Sequence, residues 1–220
     1  RRGLDRLGTG GRPAQAGSLC RGCIASLPYL PQNRCPVCAL PTAAGETCGG
    51  CLAGPPQFHH TQAVVAYRFP ADGLIHAFKY RHQLPLAGTL AELMLRAAPA
   101  AWPDVLIPVP LAPQRLRARG FNQALEIGRR LADRTGLPLM ADGCERVRHG
   151  PPQVELPWKE RAKNIRGAFA CKTDLAGMRV AIVDDVMTTG ATMNELAKIL
   201  RQRGAAEVTA WVVARTLRES

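Results

Sequence analysis

The sequence predicts an α/β protein: an open parallel sheet with helices on both faces, preceded by a small cysteine-ligated module. Three observations carry that prediction. Residues 178–192 read Met-Arg-Val-Ala-Ile-Val-Asp-Asp-Val-Met-Thr-Thr-Gly-Ala-Thr, an apolar run with β-branched residues that ends in two carboxylates and a hydroxyl-rich turn. Past Gly190 the spacing of Leu196, Ile199 and Leu200 becomes helical, so the stretch reads as a strand covered on both faces, a turn and a helix. Six of the eight cysteines fall in the first quarter of the chain as three Cys-x-x-Cys pairs. With 220 residues, 46% of them hydrophobic, the chain can bury a sizeable core. One α/β domain of about 150 residues with a small appendage is the natural partition.

From the start of the chain, Arg1 to Gly17 is rich in Arg and Gly and is expected to be a disordered segment. The cysteine module is placed at 18–55 and the α/β domain at 56–220. In a reducing compartment Cys-x-x-Cys spacing argues for metal rather than disulfides. Each such knuckle aims two thiolates at one point, and two knuckles complete the four-thiolate tetrahedron that Zn²⁺ prefers. Cys35-Pro-Val-Cys38 and Cys48-Gly-Gly-Cys51 are the first choice for a shared structural zinc. Spacing equally allows Cys20 and Cys23 to join either of the other knuckles. Cys144 and Cys171, alone among apolar residues, read as buried inert thiols.

Gly54-Pro-Pro-Gln is a breaker-rich linker, and Ala63 to Tyr67 then reads as a strand. Leu74, Ile75 and Phe78, and after Pro85 Leu86, Leu90, Leu93 and Met94, keep helical spacing and predict two helices. Val105 to Val109 is the next strand, closed by the rigid Pro108-Val109-Pro110 turn. Arg115, Arg117 and Arg119 then precede Gly120 and a helix through Leu125 to Leu131; such a cluster suits either bidentate phosphate contacts or a solvated basic face. The turn-rich stretch Arg146 to Gln153 reads as a surface loop or a lid. Arg161 and Asn164, one helical turn apart, can share a polar face.

The turn Thr188, Thr189, Gly190, Ala191 and Thr192 is an anion site by construction. Unpaired backbone amides, the positive end of a helix dipole and three threonine hydroxyls converge there, and a glycine permits close approach. Two carboxylates beside such a site repel the anion unless each has its own task. A ribose supplies one, because ionised Asp184 and Asp185 accept hydrogen bonds from vicinal hydroxyls and can also hold Mg²⁺ directly or through water. The stretch Val183 to Thr192 resembles the phosphoribosyl pyrophosphate (PRPP) loop of type I phosphoribosyltransferases. The alternative is a buried strand whose Asp pair merely caps the next helix.

Together with the cysteine knuckles, this loop makes the chain resemble the ComF/GntX family. Matching stretches include Cys35-Pro-Val-Cys38, Ile75 to Tyr80 with its Phe-Lys-Tyr ending, Pro108-Val-Pro110, Arg119-Gly-Phe-Asn-Gln and Arg161-x-x-Asn164-x-x-x-Ala168-Phe169. Members often carry four Cys-x-x-Cys pairs; here Arg1 to Gly17 stands in the place of the first. The resemblance implies a type I phosphoribosyltransferase-like sheet behind a zinc ribbon. It implies PRPP with Mg²⁺ at the 184–192 loop, with Asp184 and Asp185 as catalytic carboxylates and residues 188–192 on the phosphate. Arg115, Arg117, Arg119 and Arg161 would meet pyrophosphate or DNA. It also implies a link to DNA uptake or use of imported DNA, with single-stranded DNA or uptake helicase machinery as partner. The acceptor is not legible, so a transferase and a non-catalytic PRPP- or nucleotide-sensing binder share the same loop. For either, the expectation is that Asp185→Asn weakens ligand binding far more than stability.

The formal net charge of +12 favours a polyanionic partner, yet with aromatics at 5% there is little for bases to stack on. Apolar stretches fall short of the roughly 18 residues a spanning helix needs, and the first residues show no apolar leader; a cytoplasmic location is expected.

Overall fold

The computed structural model describes residues 19–97, 101–147 and 165–217. A four-stranded sheet, entirely parallel, runs in the order β1-β6-β5-β2, with β1 at His60–Ala66, β2 at Val105–Pro108, β5 at Arg179–Met187 and β6 at Glu207–Arg215. The 178–187 run is thus central, as its unbroken apolar character requires. Its side chains alternate: Val180 and Ile182 enter one buried cluster, Ala181 and Val183 the other.

One face carries α3 (Ala71–Tyr80), α4 (Leu86–Arg96) and α6 (Gln123–Thr135), whose apolar stripes supply Ile75, Phe78, Leu90, Ile127 and Leu131. The other face carries α7 (Ala191–Gln202), with Met193, Leu196 and Leu200 inward. Between α4 and α6, β2 leads into the short α5 (Pro113–Arg119). A separate antiparallel pair, β3 (Cys144–Arg146) and β4 (Phe169–Cys171), sets Cys144 opposite Cys171; both are buried, as expected. Periodicity does not predict the seven-residue α5, nor β3 and β4, which are three residues each and too short for a period to show.

The cysteine module, with the one-turn helices α1 (Arg21–Ala25) and α2 (Gly49–Ala53), lies against the α7 face. Leu30, Cys35, Cys38, Ala39 and Cys51 belong to the same buried cluster as α7 and the sheet. Its strand-like segment also hydrogen-bonds the edge of β1: the Leu30 amide donates to Val64 O at 3.0 Å and the Ala66 amide to Pro28 O at 2.7 Å. Arg1 to Gly17, most of the proposed lid, Arg161 and Asn164 lie outside the described residues.

Candidate functional site

The last residues of β5, the turn beyond it and the first turn of α7 form one wall of a cleft of about 550 Å³. It opens at the carboxyl end of the central strand, where open parallel sheets bind ligands. Gly190 adopts the left-handed region at φ 82° and N-caps α7. The first amides of a helix have no acceptor within it; here the Ala191 amide is met by Thr189 Oγ1 at 3.1 Å. Thr188, Thr189 and Thr192 all line the cleft.

Asp184 and Asp185 form the floor. Asp185 is buried, and its Oδ2 lies 2.8 Å from Lys79 Nζ. Burial pulls the Lys79 ammonium down, but the charge and hydrogen bond of Asp185 together with the charge of Asp184 outweigh it and hold Lys79 above its ordinary value. Burial, then the charge of Asp185 beside it, lifts Asp184 to about 7. Lys79 thus offsets the charge of Asp185, and with Asp184 lifted toward neutrality the floor carries less negative charge than two free carboxylates would.

Helix α3 supplies more than Lys79. With Ile75 and Phe78 turned into the core, the spacing i, i+3, i+4 brings His76, Lys79 and Tyr80 to the cleft. Arg115 and Arg119 sit four apart on α5 and line the same cleft as the 188–192 turn, joined by Arg146 from β3. Burial and the neighbouring Arg119 lower Arg115; burial and Arg115 lower Arg146. Cationic groups crowded until they depress one another make a wall suited to a polyanion. Arg119 is held in place, with Nη1 donating to Gln123 Oε1 at 2.9 Å and Nη2 to Tyr80 Oη at 3.0 Å. Asn122 caps α6, its Oδ1 accepting from the Ala124 amide at 3.0 Å, while its Nδ2 donates to Val109 O at 3.1 Å. The Arg119-Gly-Phe-Asn-Gln motif therefore builds the arginine wall and ties it to the Pro108-Val109-Pro110 turn.

Among the described residues, one group fits a metal ion: Cys35, Cys38, Cys48 and Cys51, whose sulfurs all lie within 4.8 Å of one another. Sulfurs at 2.3 Å from a tetrahedral zinc stand roughly 3.8 Å apart, and Cys38 Sγ and Cys48 Sγ are 3.6 Å apart. Burial opposes ionisation of Cys35, but amide hydrogen bonds, led by that of Cys48, bring its thiol down to about 7. Burial and the neighbouring thiols push Cys51 up. Four thiols this close all ionise only around a cation. Cys20, which N-caps α1, and Cys23 within it are exposed and lie outside this group, the Cys23 amide donating to Cys20 Sγ at 3.4 Å.

Two family models match: a phosphoribosyl transferase domain over residues 123–219 and a double zinc ribbon domain over residues 9–52. A DNA utilization protein YhgH of Salmonella typhi is 35% identical over 191 residues, 83% of this chain and 84% of that one. Competence protein F of Haemophilus influenzae is 37% identical over 159 residues, 68% of this chain and 69% of that one. The chain belongs to the ComF family. A more distant ComF relative, competence protein ComFC of Bacillus subtilis, is 25% identical over 216 residues, 90% of this chain and 84% of that one.

In this ComF chain the cleft gathers Asp184, Asp185, residues 188–192, Arg115 and Arg119. Arg117 does not join them; on α5 it falls between two cleft-facing positions and is exposed. Lys79, His76, Tyr80 and Arg146 went unassigned in the sequence reading, although the Phe-Lys-Tyr stretch was among the matching motifs. The four-cysteine cluster and the ribbon match support zinc. No described helix is long and apolar enough to cross a membrane.

Proposed function

We propose that this protein binds PRPP with Mg²⁺ in the cleft and acts as a phosphoribosyltransferase-domain protein in DNA uptake or in the use of imported DNA. One observation carries this reading. Two carboxylates, a hydroxyl-rich helix N-terminus and a wall of arginines face one cleft at the end of the central strand. The turn at 188–192 takes the 5′-phosphate, with Asp184 and Asp185 on the ribose hydroxyls. Arg115 and Arg119 take the pyrophosphate. When bound, Mg²⁺ neutralises pyrophosphate charge. An acceptor then displaces pyrophosphate at C1′, and the protein contributes positioning and charge stabilisation rather than a covalent nucleophile. The zinc ribbon is structural, and the association with DNA follows from the names of the relatives.

Calorimetric titration of the zinc-loaded protein with PRPP and Mg²⁺ tests the site, run beside the Asp184→Asn, Asp185→Asn double variant. Saturable binding in the parent and none in the variant is the expected result. A folded parent that takes up no PRPP overturns the reading.

A further inference from the structure

The four-cysteine cluster and the phosphate turn are joined by one buried side chain. Arg215, at the end of β6, is 3% exposed. Its Nε donates to the carbonyl of Cys38 at 2.8 Å. Its Nη1 donates to Met187 O at 3.0 Å, to Thr216 O at 2.8 Å and to Thr188 O. One end of a rigid planar fork is thus fixed on the backbone of a cysteine of the metal group, the other on the residue that opens the phosphate turn.

Other contacts run the same way. Thr61 Oγ1 donates to Val37 O, inside the Cys35–Cys38 knuckle, at 2.6 Å, and lies 3.8 Å from Met187 Sδ. The Gln57 amide donates to Asn194 Oδ1 on α7 at 2.7 Å. A second cleft of about 360 Å³ has Cys48 and Cys51 on one side and Gly190 and Ala191 on the other, so the knuckles stand directly behind the turn.

We infer that Arg215 is a positioning residue that couples zinc in the four-cysteine cluster to the shape of the phosphate turn, so that zinc and the phosphate ligand each tighten the other. A group that holds the backbone of a ligating residue helps fix where its ligand atom stands, and Arg215 does this through the Cys38 carbonyl. Thermodynamic linkage makes the coupling reciprocal: the factor by which zinc tightens phosphate binding equals the factor by which phosphate tightens zinc. The ligand half of the inference rests on the reading of residues 188–192 as a phosphate site; the link from zinc to turn does not.

The test uses the full chain as parent, Arg215→Lys and Arg215→Met. Amide hydrogen exchange at 187–192 is followed before and after zinc removal. Zinc affinity is measured by chelator competition with and without ribose 5-phosphate. Removing zinc is expected to speed exchange at 187–192 about tenfold while β2 stays protected. Ribose 5-phosphate is expected to tighten zinc in the parent. Arg215→Met should weaken zinc about tenfold and abolish the coupling, with Arg215→Lys intermediate. Unchanged exchange at 187–192, or a rise spread equally over all strands, overturns the inference. So does a parent that binds zinc and ribose 5-phosphate with no mutual effect. A parent that binds no ribose 5-phosphate instead overturns the phosphate reading, and the exchange arm still decides the zinc-to-turn link. Should Arg215→Met fail to fold, zinc removal from the parent decides the matter alone.

Discussion

Asp184 and Asp185 are chemically identical neighbours that the fold treats differently. Asp184 rises from 3.8 to about 7, first through burial and then through the charge of Asp185. A folded value above the unfolded one favours the neutral acid. Its contribution to stability is therefore fully present below about pH 4 and is lost as pH climbs through 7. Asp184→Asn should flatten this loss and make the ligand-free protein more stable at pH 8 by on the order of 2 kcal/mol. Urea unfolding of parent and variant at pH 5 and pH 8 checks it; parallel pH dependences would sink the assignment.

Asp185 is instead half of a buried ion pair with Lys79. Removing one partner of such a pair strands the other charge, so Lys79→Met should cost about 3 kcal/mol at neutral pH. Most of that should return on adding Asp185→Asn, measured as a double-mutant cycle by denaturant unfolding; two independent losses would show that the pair does not act as a unit. The same pair changes the expectation for Asp185→Asn alone. That variant loses stability as well as ligand affinity, because Lys79 is left without its counterion. Nothing in the sequence marked Lys79 as its partner, since the two residues are brought together only when α3 packs beside β5.

At the level of elements, the strand-turn-helix of 179–202 was legible because each part has its own signature: an unbroken apolar run, a glycine with threonines, then a 3.6-residue period. Gly190 is the hinge of that unit. At φ 82° a side chain is strained, and a β-carbon there would stand 2.8 Å from Met187 Cε. Gly190→Ala should therefore destabilise the protein by about 1–2 kcal/mol and weaken ribose 5-phosphate binding, because a side chain strains the left-handed backbone this turn requires and the end of Met187 must shift to admit the methyl group. Thermal unfolding and ligand titration together test this, and an unaltered variant would contradict the geometry. Helix α3 was only half legible. Periodicity identified the buried stripe of Ile75 and Phe78, but an outward face looks the same whether it meets water or a cleft. The polar side chains of His76, Lys79 and Tyr80 acquired a role only from what stands opposite them.

Over the whole molecule, the class of sheet and the presence of a metal-suited knuckle pair could be read directly, whereas strand order and the seating of the ribbon could not. Pairing order depends on contacts between residues far apart in the chain, which a local pattern does not encode. The sequence likewise reads 18–55 as a module set off by a breaker-rich linker. In the structure, Leu30, Cys35, Cys38 and Cys51 contribute to the same core as α7, and Pro28 to Leu30 cover the edge of β1.

The strand order β1-β6-β5-β2 also dictates a timetable. Translation delivers β1, β2 and β5 before β6, yet β6 lies between β1 and β5 and carries Arg215 at its end. Until it leaves the ribosome, β1 and β5 lack the strand that pairs with both, and the Arg215 link between the cysteine knuckles and the 187–188 backbone is missing. The hydrogen bonds that Arg215 makes to Cys38, Met187 and Thr188 therefore form only after the last of these strands has been translated.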